Sequence, residues 1–140
     1  MERCEEVEAL TRALYEAVSR ADLGWFEERL ARTTPLAVVG TAPDEWWDDR
    51  ATLLHALRAQ MDAAGADSVR LVAGPLRADR EGEVAWVADR PTLRVGSVSV
   101  ECRHTAVFVR EAGEWRLAQH HFLVGVPNED VFGAEATRLG

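Results

Sequence analysis

The chain has 140 residues, 47% hydrophobic and 29% charged, enough for one domain with a real core and too balanced for a disordered or fibrous chain. Its 24 acidic residues oppose 16 basic ones, all arginine, and the formal charge of −8 repels nucleic acid and anionic membranes on average. No apolar run approaches the ~20 residues of a membrane span or forms a leader, and Cys4 and Cys102 fall in no CxxC or zinc-finger spacing. The expectation is therefore a cytoplasmic protein with no nucleic-acid, membrane, metal or cofactor partner.

Val7, Leu10, Leu14, Ala17 and Val18 recur at three- and four-residue spacings, which predicts an amphipathic helix over 5–20. Asp22 can cap a shorter helix through DLGWFEERLA, where Leu23, Phe26 and Leu30 share a stripe. After Pro35 comes a short apolar strand, LAVVG, and then TAPDEWWDDR. There Asp48 or Asp49 can cap a third helix from about Arg50 to Ala63 that Gly65 ends. Adjacent tryptophans cannot easily bury both rings in one direction. Trp47 is assigned to a cavity wall and Trp46 to packing against the first two helices.

Beyond Gly65 the period falls to two. VRLVAG, GEVAWVAD, LRVGSVSVECRHTAVFVR and EWRLAQHHFLVGV read as strands, the third long enough to bend or bulge at Gly96. Helices followed by an antiparallel meander predict an α+β domain over 1–140, with residues 128–140 an extension or a loosely ordered tail.

If Glu111–Ala112–Gly113 is a three-residue loop, Val109 opposes Trp115, Val107 opposes Leu117, Thr105 opposes Gln119 and Arg103 opposes His121. That face grades from apolar to polar, as the floor of a cavity would. Arg103, Thr105 and Gln119 could hold the polar end of a ligand, and His121 could exchange a proton. A surface ion pair between Arg103 and Glu101 is the competing reading. The other face carries His104 and His120, which would meet as cross-strand neighbours on the outer side; no third metal ligand is assigned to them. Neighbouring His120 and His121 point to opposite faces.

The stretches YEAVSRADLGWFEERLA, LAVVGTAPDEWWDDRATLLHAL and HTAVFVREAGEWRLAQHHFLVGVPNED together resemble the SnoaL-like and ketosteroid-isomerase-like branch of the nuclear-transport-factor-2-like superfamily. The resemblance implies a cone-shaped α+β barrel, with N-terminal helices on a strongly curved antiparallel sheet and a cavity between them. It also implies a homodimer through the outer sheet face. A steroid isomerase needs an acidic base near the first strand, plus a tyrosine and a protonated acid around the oxyanion. Tyr15 and Asp44 fall near the first two positions, but Thr105 stands where the protonated acid belongs, so standard ketosteroid isomerisation is not expected.

Because one superfamily serves many chemistries, function has to be argued from the site. The expected function is binding of a small, mostly apolar organic molecule. Tyr15, Trp47 and Trp86 would form walls, Arg103, Thr105 and Gln119 would place its polar end, and His121 or Asp44 would be the base of any cofactor-independent acid–base step. Whether the protein catalyses stays open. The rival expectation is a non-catalytic homodimeric association or scaffold domain that uses the outer sheet face.

Overall fold

A computed structural model of the chain describes residues 1–133. Helix α1 (Glu5–Arg20) follows a two-residue strand β1 (Glu2–Arg3), and its buried side chains, among them Val7, Thr11, Leu14 and Tyr15, form the expected inward stripe. Acidic residues in its first turn suit the positive end of the helix dipole. It ends at Ala21, whose left-handed backbone (φ 55°) lets its N–H reach back to the carbonyls of Ala17 and Val18. Helix α2 (Leu23–Arg29) is capped by Asp22, which accepts the Trp25 N–H at 3.3 Å.

Strands β2 (Ala37–Val39) and β3 (Trp46–Trp47) flank a tight turn, and helix α3 (Arg50–Ala64) follows. Of the two candidate caps, Asp49 does the work, accepting from the N–H and hydroxyl of Thr52 at 2.9 and 2.7 Å. The rest is sheet: β4 (Val69–Val72), β5 (Arg77–Glu81), β6 (Val84–Asp89), β7 (Thr92–Val95), β8 (Val98–Glu111) and β9 (Glu114–Val124). The stretch predicted as one long strand is two, because Gly96 (φ 60°) turns the chain and folds β7 back on β8. Asn128–Phe132 form a short helix α4; the remainder of the predicted tail, residues 134–140, lies outside the described residues.

Strand order is β1-β5-β6-β8-β9-β2-β3, with β7 joining the far end of β8 and β4 joining β7. All pairings are antiparallel except β2 beside β9. This corrects the expected cone-shaped α+β barrel with its strongly curved sheet. The path begins at β1 and ends at β3, two-residue edge strands with one partner each, so the sheet stays open rather than curling into a closed wall. The α+β layering of helices on one sheet face stands. Val7, Leu14, Phe26, Leu30, Leu53, Phe108 and Leu117 fill the space between helices and sheet with essentially no exposure.

Two features of the β8–β9 hairpin set which side chains face that layer. Its loop has two residues, Ala112 and Gly113 (φ 51° and 80°), so Arg110 opposes Trp115 and Phe108 opposes Leu117. A bulge then inserts Ala118: Leu117 pairs with Phe108, but Gln119 pairs with Val107. Beyond it Ala106 opposes His120 and His104 opposes Phe122. The face toward the helices is therefore Cys102, His104, Ala106 and Phe108 with Leu117, His120 and Phe122, the reverse of the expected sorting of the polar residues.

Candidate functional site

Between the helices and the sheet lies a cavity of about 280 Å³. Val18 of α1, Phe26 of α2, Leu57 and Met61 of α3, Trp47 and Phe122 give it apolar walls. Glu45 and Gln60 contribute polar atoms, their side chains joined by a 3.2 Å hydrogen bond; Gln60 is exposed and Glu45 half-buried. At the sheet, His120 and Cys102 line the cavity. Burial pushes the Cys102 thiol upward, away from the nucleophilic thiolate, and no disulfide joins it to Cys4.

Behind His120 runs a continuous buried chain of polar contacts. Its Nδ1 lies 3.2 Å from Nε2 of His104, and Nδ1 of His104 lies 2.9 Å from the Tyr15 hydroxyl. Tyr15 in turn contacts Oδ2 of Asp89 at 2.9 Å, and Asp89 accepts the Gly74 N–H on both oxygens at 3.1 and 3.2 Å. These residues come from β9, β8, α1 and the end of β6, so only the assembled fold makes the chain. The His104 ring stacks on Phe122, with centroids 4.0 Å apart and planes 8° from parallel.

Electrostatics follow from burial. His104 is held well below its ordinary value by desolvation and by the neighbouring His120 and His121 charges. Burial, with the charge of His121 second, holds His120 at about 4, so both imidazoles are neutral at pH 7. Burial, then Asp89, pushes the Tyr15 phenol up, keeping its proton on. The arrangement can hold one neutral imidazole against an apolar cavity and connect it to a buried carboxyl group.

The sequence-selected residues separate into two groups. Trp47 lines the cavity, and Tyr15 is buried beneath it with its hydroxyl in the polar chain. Thr105 and His121 do oppose each other, and Gln119 opposes Val107, but on the far face of the sheet; Arg103 there pairs with Leu123. Arg103, Thr105 and Gln119 are exposed and His121 is half-buried. Trp86, 37% exposed, shares that outer face, and Asp44 is exposed in the turn before β3. None of these six lines the cavity. For the β8 and β9 residues the shorter hairpin loop and the Ala118 bulge are the physical reason. Trp46 is 67% exposed rather than packed on the first helices.

His104 and His120 were legible as neighbours on one face, and they do meet, but that face is the inner one. Asp89 and Gly74 carried no local signal, since their role depends on a contact between the chain after β4 and the end of β6. Among the described residues no three His, Cys, Asp or Glu side chains converge as a metal site, and no helix is long and apolar enough to cross a membrane.

A family profile described as the SnoaL-like domain matches residues 7–127. The structure is similar to an NTF2-like protein of unknown function from Pseudomonas putida KT2440 (15% identity, 90% of this chain and 89% of that one, TM-score 0.79). It is also similar to a putative dehydratase of the NTF2-like family from Streptomyces avermitilis (18%, 87% and 95%, 0.75). A third similar structure is a putative calcium/calmodulin-dependent protein kinase type II association domain from Thiobacillus denitrificans ATCC 25259 (24%, 85% and 94%, 0.68). No curated protein matches the sequence. At these identities the structural likenesses speak to fold alone, whereas the profile spans most of the sequence: the chain belongs to the SnoaL-like domain family.

Proposed function

We propose that the protein binds a small, mostly apolar organic molecule in the helix–sheet cavity and performs cofactor-independent acid–base chemistry on it. His120, rather than His121 or Asp44, is the group that exchanges the proton. The observation that carries this reading is a neutral imidazole lining an otherwise largely apolar cavity, with one nitrogen engaged by a buried partner. Such a base is available at pH 7 without first losing a proton. A thermal-shift screen of neutral aromatic and alicyclic compounds tests it, repeated on Trp47→Ala and His121→Ala. The stabilisation by a hit should shrink in Trp47→Ala and persist in His121→Ala; the opposite pattern sinks the cavity reading.

A homodimeric association role is the second reading, favoured by the outer sheet face. There Trp86 and Val84, 37% and 42% exposed, lie beside half-buried Val107. Trp86→Glu should leave the fold intact and shift a dimer toward monomer in sedimentation. Wild-type protein that stays monomeric at tens of micromolar removes this reading.

A further inference from the structure

We infer that Asp89, Tyr15, His104 and His120 form a hydrogen-bonded chain of one fixed direction, which makes the cavity selective for a neutral, mostly hydrocarbon molecule bearing a single acidic hydroxyl. This deepens the proposed acid–base reading and rests on it. Direction follows from counting protons. A carboxylate can only accept, and both Asp89 oxygens accept the Gly74 N–H. Tyr15 therefore spends its only proton on Oδ2 of Asp89. The 2.9 Å contact between Tyr15 and Nδ1 of His104 then requires His104 to donate from Nδ1, which leaves its Nε2 a lone pair. Across the 3.2 Å contact, His120 must donate from Nδ1. Its Nε2 is left as a lone pair, with no protein partner among the described residues, on a side chain that lines the cavity.

A lone pair in that position selects a ligand that donates. No arginine is among the described residues lining the cavity, and Glu45 is, so a carboxylate or phosphate would find no counter-charge. A phenol or enol with a hydrocarbon body fits both constraints. Proton transfer along the chain balances without any co-reactant. The ligand O–H bond breaks, its electron pair stays on oxygen, and the proton goes to Nε2 of His120. The Nδ1 proton of His120 passes to Nε2 of His104, the Nδ1 proton of His104 passes to the Tyr15 oxygen, and the Tyr15 proton passes to Asp89. His120 is the group that touches the ligand; Tyr15, His104 and Asp89 are positioning residues.

Two measurements test this. Long-range proton–nitrogen correlation spectra of 15N-labelled protein at neutral pH report imidazole tautomers directly, with His120→Phe to assign the signals. Both His104 and His120 should carry their proton on Nδ1; an Nε2–H His120 overturns the inference. Asp89→Asn keeps an oxygen for the Gly74 N–H but offers Tyr15 an N–H in place of a lone pair. Every bond in the chain should reverse, and both histidines should become Nε2–H. A mere structural role for Asp89 would not produce that switch.

Calorimetry with 2-naphthol, 2-methoxynaphthalene and 2-naphthoate tests the selectivity. Wild type should prefer the naphthol over the methyl ether by on the order of tenfold and reject the carboxylate, and Asp89→Asn should lose or invert the preference. Equal binding of the naphthol and its ether overturns the selectivity while leaving the cavity reading intact. Binding of none of the three counts against the cavity reading itself, and the tautomers still decide the direction of the chain.

Discussion

Gly74 and Asp89 hold each other in place from both sides. The Gly74 N–H donates to both Asp89 carboxylate oxygens, and a Cβ on Gly74 would come within 2.4 Å of the Arg90 carbonyl oxygen and 3.0 Å of Asp89 Oδ1. The closest obstacle is backbone and cannot rotate away. Gly74→Ala is expected to cost about 1–3 kcal/mol in urea unfolding. It should also shift the His104 imidazole resonances, because displacement of Asp89 loosens Tyr15 next.

Acid should weaken the protein through its buried histidines. An unfolded His120 takes up a proton near its ordinary 6.5, whereas in the fold it stays neutral until about 4. The unfolded state thus binds more protons across that window, and stability is full above it and falls as pH drops through it. His104 is shifted the same way. Urea midpoints between pH 7 and pH 4.5 should show a loss on the order of 2–3 kcal/mol from His120. His120→Phe should flatten that part of the profile; a slope unchanged in the variant refutes the assignment.

Glu111 titrates lower. Burial would raise its carboxyl, but the Arg32 N–H, the Thr34 and Thr33 contacts and further backbone donation outweigh it and hold the group at about 2. Its contribution is present above the ordinary 4.5 and is lost as pH falls toward 2. Glu111→Gln is expected to cost about 1–2 kcal/mol at pH 7, after allowance for partial exposure. The difference from wild type should close near pH 2.

The adjacent tryptophans should respond unequally. Trp46, 67% exposed on an edge strand, is expected to tolerate replacement by serine within about 0.5 kcal/mol. Trp47 is half-buried against the core and lines the cavity, so Trp47→Ala should cost about 2 kcal/mol. Denaturant midpoints of the two variants decide it.

Helices and strands with a long or strict period were legible in the sequence, as were the Asp22 cap, the Asp48-or-Asp49 alternative for the next one, the position of Trp47 beside the cavity and the closeness of His104 to His120. What was not legible depended on two local irregularities and one long-range contact. A three-residue loop and the observed two-residue loop differ by one residue, which is enough to exchange the faces of β8 relative to β9. No periodicity marks Ala118 as the inserted residue. Short strands β1, β3 and β5 gave no period because two to five residues are too few. Asp89 reads as a strand-end turn residue until Tyr15 and Gly74 arrive from elsewhere.

The bulge at Ala118 also governs how this chain should be compared with its relatives. An aligned partner whose last long strand is regular needs a one-residue gap at Ala118, since the inserted residue occupies no rung of its own. Without the gap, every position from Gln119 onward is matched to a residue of the opposite face, and Gln119 is credited with the place that His120 occupies. Functional labels carried across such an alignment would land on the outer surface.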